Sequence, residues 1–210
     1  MTFTLPADTT GLTRGDLRRL TNASLNQVQL LLRGCVDSDV TFVPSDPDAN
    51  DPSAVSADES QLAWTLGHLI MHVTASAEEA AALAAELARG VAYHGRSRRE
   101  VPWESVTTLA QCRSRLDESR RMRCGSLEMW PDHPDPDTRR PWQEGTPGLG
   151  AIQCFLVGLQ HEADHVAQLR EVIRQARTYR RQQNWLGRWQ RRRATRRARR
   201  SSGSGVASAA

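Results

Sequence analysis

The stretch Gly158-Leu159-Gln160-His161-Glu162-Ala163-Asp164-His165-Val166-Ala167-Gln168-Leu169 decides the fold. It lies within a pattern of helical period running from Leu149 to about Arg177, and its two histidines are four residues apart. On a helix this spacing puts both imidazoles on one face, a turn apart, where they can share a metal ion. Steps of three and four residues join Cys154, Gly158, His161, His165, Leu169 and Val172 into one stripe. Ile152, Leu156, Leu159, Ala163, Val166 and Ile173 run beside it. The histidines therefore border an apolar face and are expected to look into a helix bundle, where an imidazole needs a partner.

The rest of the chain supplies the other helices. A first helix is expected from about Thr13 to Gly34, with Leu17, Leu20, Val28, Leu31 and Leu32 inward, Thr13 as cap and Asp16 three residues on. Residues 36–55 are rich in Asp, Ser and Pro and read as a long loop, a candidate cover for a site. The second helix is expected from Ser56, with Glu59 placed as in a capping box, to Arg89 before Gly90. Its apolar stripe is Leu62, Leu66, Leu69, Val73, Ala80, Ala84 and Leu87. His72 lies at the edge of that stripe and His68 slightly further round. A loop with Tyr93, His94, Arg96, Arg98, Arg99 and Trp103 leads to a third helix, Thr108 to Met129, with Leu109, Cys112, Leu116, Met122 and Leu127 as its apolar positions. A proline-rich loop from Pro131 to Gly148 is the other candidate cover. Four long helices with two long connections describe an all-α four-helix bundle. The expected organisation is an N-terminal arm (1–12), the bundle (13–178) and a flexible basic tail (179–210).

Composition narrows the class. With 210 residues and no internal repeat, one domain with a real core is expected. No apolar run approaches the roughly 18 residues of a membrane-spanning helix, and the N-terminus has no basic segment with an apolar signal core, so a cytoplasmic protein is expected. Cys35, Cys112, Cys124 and Cys154 form no close metal-binding pair and read as reduced packing residues. The net charge of +4 hides a division: residues 1–169 hold 15 arginines against 23 acids, a balance of −8, whereas 170–210 hold 13 arginines against Glu171 alone, a balance of +12. The basic character belongs to the tail. There, Trp185 and Trp189 come together at helical spacing among arginines, so residues 179–200 are expected either to be a solvated arm or to contact nucleic acid or an anionic membrane.

Read literally, His161-Glu162-Ala163-Asp164-His165 is H-E-x-x-H, the metallohydrolase signature in which the glutamate activates water. The third ligand argues against it. Position 171 is Glu where one protease class has histidine, Gln168 stands where a turning glycine belongs, and no glutamate follows Glu171. Glu162-Ala163-Asp164-His165 is also the E-x-x-H of di-iron bundles, but the second helix has no matching copy.

A third histidine from the second helix completes a different set. Trp64-Thr65-Leu66-Gly67-His68-Leu69-Ile70-Met71-His72-Val73 and His161-Glu162-Ala163-Asp164-His165-Val166-Ala167-Gln168-Leu169 resemble the second-helix and last-helix motifs of the DinB-like (YfiT-type) four-helix metalloproteins, over roughly residues 13–177. The resemblance implies His72, His161 and His165 as metal ligands. Some members place their histidine right after a Leu-Gly pair, as His68 is placed, so His68 is the alternate; His72 is favoured because it lies nearer the apolar stripe.

Three neutral imidazoles suit zinc, nickel or iron(II) and leave a position for water or a substrate atom. The resemblance implies a metal-dependent transferase or isomerase that activates a low-molecular-weight thiol or water against a small-molecule substrate. Asp164 is the expected proton-transfer group beside the ligands, whereas Glu162 is expected to be an ordinary solvated residue. A non-catalytic, stress-associated metal-binding protein with a nucleic-acid- or membrane-contacting tail is the other reading, and a homodimer is expected by analogy with folds of this type.

Overall fold

The computed structural model describes residues 5, 9, 11–46, 49, 60–95, 102–142 and 148–203, with side chains up to residue 195 in the last stretch. Helix α1 is Arg14–Leu31, and it starts where expected because Thr13 and Asp16 close a capping box: the Thr13 hydroxyl accepts the Asp16 N–H, and the Asp16 carboxylate accepts the Thr13 N–H at 2.8 Å. A short α2 (Asp37–Val40) follows. Helix α3 (Leu66–Ala88) is capped by Thr65, whose hydroxyl accepts the His68 N–H at 3.2 Å. A single 3₁₀ turn (Trp103–Ser105) precedes α4 (Leu109–Glu128), which Thr108 and Gln111 cap reciprocally. The chain ends in α5 (Ala151–Asp164) and α6 (Val166–Gly203). No strand is present among the described residues, and the architecture is an all-helical bundle.

Four expectations need correction. The second helix begins at Leu66, not near Ser56; Ser56 and Glu59 lie outside the described residues, Thr65 is the cap, and Leu62 is exposed ahead of it. The fourth helix is two: the chain leaves regular helix at His165, whose ψ of −6° is well short of the helical value and whose N–H reaches back to His161 O at a long 3.4 Å. In α4 the inward position is Arg123, and Met122 beside it is exposed. The described part of the loop after Pro131 is anchored away from the histidines. The Asp135 N–H is tied to Ala88 O at 2.9 Å, at the far end of α3, about 24 Å along that helix from His72. Residues 36–46 lie at the histidine end, where Val40 packs beside Gly67. Helix α6 runs through residues 178 and 179 without a break.

α3 packs chiefly on α5 and α4, and α1 packs on the same two, so α4 and α5 face each other across the bundle. The α3–α5 seam is close because its residues are small. A Cβ on Gly158 would stand 2.8 Å from Ala80 Cβ and 2.9 Å from Ala77 Cα. Neither atom is the end of a flexible chain, so Gly158→Ala is expected to lower stability by about 1–2 kcal/mol, the cost of overpacking less the helix propensity that alanine restores. A urea denaturation midpoint equal to or above wild type would contradict the close seam.

The core is divided. One apolar cluster holds Leu25, Val28, Leu69, Ile70, Leu116, Leu169 and their neighbours; the other holds Leu17, Ala84, Leu87, Leu127, Phe155 and Leu159. Between them four helices contribute buried polar side chains: Thr21 and Ser24 from α1, His72 and Thr74 from α3, Ser119 and Arg123 from α4, and Glu162 from α5. A polar layer in the middle of a bundle costs stability unless every member is partnered. His161 and His165, at the end of α5, border this layer.

Candidate metal centre

Helix α3 carries His72 into the layer and the α5–α6 junction carries His161 and His165. One ligand atom from each lies within 4.8 Å of the other two. The ring centroids form a nearly even triangle, 4.8 Å for His72–His161, 5.1 Å for His72–His165 and 4.7 Å for His161–His165. His72 Nε2 and His161 Nε2 are 3.1 Å apart. Metal–nitrogen bonds of about 2.1 Å place two ligand nitrogens roughly 3.0–3.4 Å apart for angles between octahedral and tetrahedral, a spacing that the His72–His161 pair has, with His165 near enough to complete a set that could hold an ion. His72 is buried while His161 and His165 are half-buried, which leaves one side of the triangle toward solvent.

The third ring is oriented by a neighbour. His165 Nδ1 is 2.8 Å from Gln168 Oε1, an acceptor, so Nδ1 carries the proton and the Nε2 lone pair is left for a ligand. In the sequence Gln168 is visible only as part of a motif, although its i,i+3 spacing from His165 already allowed this contact. Loss of such an outer partner costs about 10–100-fold in metal affinity, which is the expected effect of Gln168→Ala on a zinc titration. An unchanged affinity would take Gln168 out of the site.

His68 is not in the triangle. It is buried, with its ring stacked between Trp64 and Trp103 at 4.5 Å from each, the latter nearly parallel at 1°. Trp64 also lies against His72 (4.5 Å) and His165 (5.7 Å), so this indole forms a wall between His68 and the ligand set. Of His68 and His72, it is His72 that lies with His161 and His165. Asp164 is exposed and accepts the Gln160 side-chain amide at 2.6 Å, so the structure does not bring it to the imidazoles as a proton-transfer group.

Glu162 reverses its expectation. Its side chain is 0% exposed and receives Arg123 Nη1 on Oε2 at 2.8 Å, with Nη2 3.5 Å from Oε1. A carboxylate held this way is not available to activate water, so the glutamate of the H-E-x-x-H reading has no counterpart. Nothing in the sequence marked Arg123 among the 28 arginines as an inward residue.

The model of a family described as the DinB superfamily matches residues 12–169. The chain belongs to the DinB superfamily. The matched span begins at the cap of α1 and ends just beyond Gln168, so it contains the three histidines and this DinB-like bundle but stops before the arginine-rich end of α6. No curated protein and no solved structure matches the chain. As the two sequence motifs imply, the fold is DinB-like and helical, and its histidine triad could hold a metal ion.

Proposed function

We propose that this DinB-superfamily protein binds a divalent ion on His72, His161 and His165 and uses it as a transferase or isomerase that activates a low-molecular-weight thiol, or water, against a small electrophile. The observation that carries the reading is the convergence of three imidazole nitrogens within 4.8 Å on the partly open side of the polar layer. A divalent ion in that place supplies Lewis acidity, enough to lower the pKa of a thiol or of water or to polarise a carbonyl. The chain's own groups do the rest. Gln168 fixes the His165 tautomer, Trp64 walls the ligands on one side, and the Arg123–Glu162 pair holds α5 against α4 so that His161 and His165 keep their direction.

Two of the protein's own thiols are poor candidates for the activated group. Burial pushes the Cys112 thiol up to about 12 and raises Cys154 as well, which keeps both neutral. That favours a thiol arriving from solution.

The test titrates metal-stripped protein with zinc, nickel and iron(II), then follows consumption of a small thiol with chlorodinitrobenzene as electrophile. Metal-dependent acceleration that disappears in His161→Ala is expected. Absence of metal binding overturns the whole reading. Stoichiometric binding without acceleration of thiol or water chemistry leaves the second reading, a non-catalytic metal-binding protein.

A further inference from the structure

The last contacts of α6 with the bundle are made by two arginines and by Tyr179, whose ring centre lies 5.5 Å from that of Phe42. Arg180 grips buried Asp39 with two bonds of 3.0 Å, and Arg177 reaches the carbonyl of Leu31 at 3.3 Å. Beyond them the helix continues to Gly203, and residues 181–195 are exposed apart from half-buried Gly187. A helix of this length protrudes by about 30 Å.

Its surface is two-sided. At about 100° per residue, Trp185, Trp189, Leu186 and Tyr179 fall in one sector about 120° wide, and Arg180, Arg181, Arg188, Arg191 and Arg192 fall in a separate sector of similar width. The apolar residues are 40–60% exposed. The two indoles lie together, 6.4 Å apart and 19° from parallel. Between residues 179 and 195 two polar residues interrupt the apolar sector, Gln182 and Arg193, whose guanidinium lies 4.5 Å from the Trp189 ring centre, an arrangement in which a long cationic side chain covers apolar surface.

We propose that this free end of α6 is an interfacial anchor that lies on an anionic lipid surface, with Trp185, Leu186 and Trp189 at the acyl boundary and the arginines among the headgroups. Charge complementarity carries the choice of partner: from Val172 to the end of the chain there are 12 arginines and no acid. Segregation of the two faces over residues 179–195, which hold both tryptophans, carries the choice of a bilayer over a polyanion. A groove or single strand is gripped by cations and aromatic rings on the same contact surface, whereas an interface takes the rings from one side and the charges from the other. The −8 of residues 1–169 fits the same geometry, since it keeps the bundle off the anionic surface while the protruding helix reaches it. This inference is independent of the metal reading.

The test uses the full chain with vesicles of phosphatidylcholine alone and of phosphatidylcholine with about one-third phosphatidylserine, read by co-sedimentation and tryptophan fluorescence. Binding to the anionic vesicles only, with a blue shift, is expected. Arginines near such a surface contribute about fivefold each, so Arg188→Gln/Arg191→Gln/Arg192→Gln together should weaken binding roughly 100-fold. Trp185→Ala/Trp189→Ala should weaken it at least about tenfold and remove the blue shift. These side chains lie outside the bundle, and an unchanged thermal midpoint checks that folding is untouched. Anionic-vesicle binding that survives the tryptophan change overturns the proposal. So does preferential, tryptophan-dependent binding of a single-stranded oligonucleotide, or a self-association that the tryptophan change abolishes while vesicles are ignored.

Discussion

His72→Ala is expected to lower zinc affinity by two to three powers of ten, while His68→Ala, one turn away on the same helix, leaves it within about threefold of wild type. The magnitude comes from ligand count. Structural zinc sites are worth about 10–16 kcal/mol over four ligands, or roughly 3–4 kcal/mol per ligand, and loss of one from a set of three leaves a bidentate site. The contrast comes from geometry. His72 Nε2 lies 3.1 Å from its counterpart on His161, whereas the His68 ring is held between two indoles. His68→Ala should cost stability through lost stacking, about 1–3 kcal/mol, so its phenotype is a lower denaturation midpoint with the metal titration preserved. His161→Ala and His165→Ala should match His72→Ala. Isothermal titration of metal-stripped protein decides the matter, and the reverse pattern, with His68 essential and His72 dispensable, would remove the site as described.

How much of this was legible beforehand follows from which signals are local. The stripe Cys154, Gly158, His161, His165, Leu169 and Val172 could be read from spacing alone, and Gly158 indeed faces Ala77 and Ala80 of α3. Thr13 with Asp16 announced the start of α1 because a capping box is contained within four residues. The start of α3 was misread for the same kind of reason: Ser56 with Glu59 has the right letters, but the cap is Thr65, which lacks an acidic partner three residues on. The break at His165 left no trace in hydrophobic period, since the i→i−4 bonds from His165 to His161 and from Leu169 to His165 keep the stripe in phase across it. Glu162 and Arg123 were out of reach altogether. They are 39 residues apart on helices that face each other across the bundle, and each looks like a surface residue until both are buried together. Trp103 was seen as a loop residue, yet it closes the stack that keeps His68 from the metal ligands.

The Arg123–Glu162 pair should dominate the stability of the bundle. Both side chains are at most 1% exposed, and they meet between α4 and α5 in the layer that separates the two apolar clusters. Removing one partner leaves a charge in the interior, so Glu162→Leu and Arg123→Met are each expected to cost about 3–5 kcal/mol. Against a typical total of about 5–15 kcal/mol, either change alone brings the protein near the edge of folding. The double variant should behave differently, because two apolar side chains of similar volume leave no charge behind. Its stability is expected to return to within about 1 kcal/mol of wild type or to exceed it. A urea double-mutant cycle measures the coupling, and single-variant losses below about 1 kcal/mol would mean that the pair is solvated. The recovered double variant also separates stability from positioning. If the pair fixes the rotation of α5, and with it the direction of His161 one residue before Glu162, zinc affinity in the double variant should stay about tenfold or more below wild type although the fold is restored. If affinity recovers together with stability, the pair serves the fold alone, and the packing of Gly158 against Ala77 and Ala80 suffices to aim the histidines.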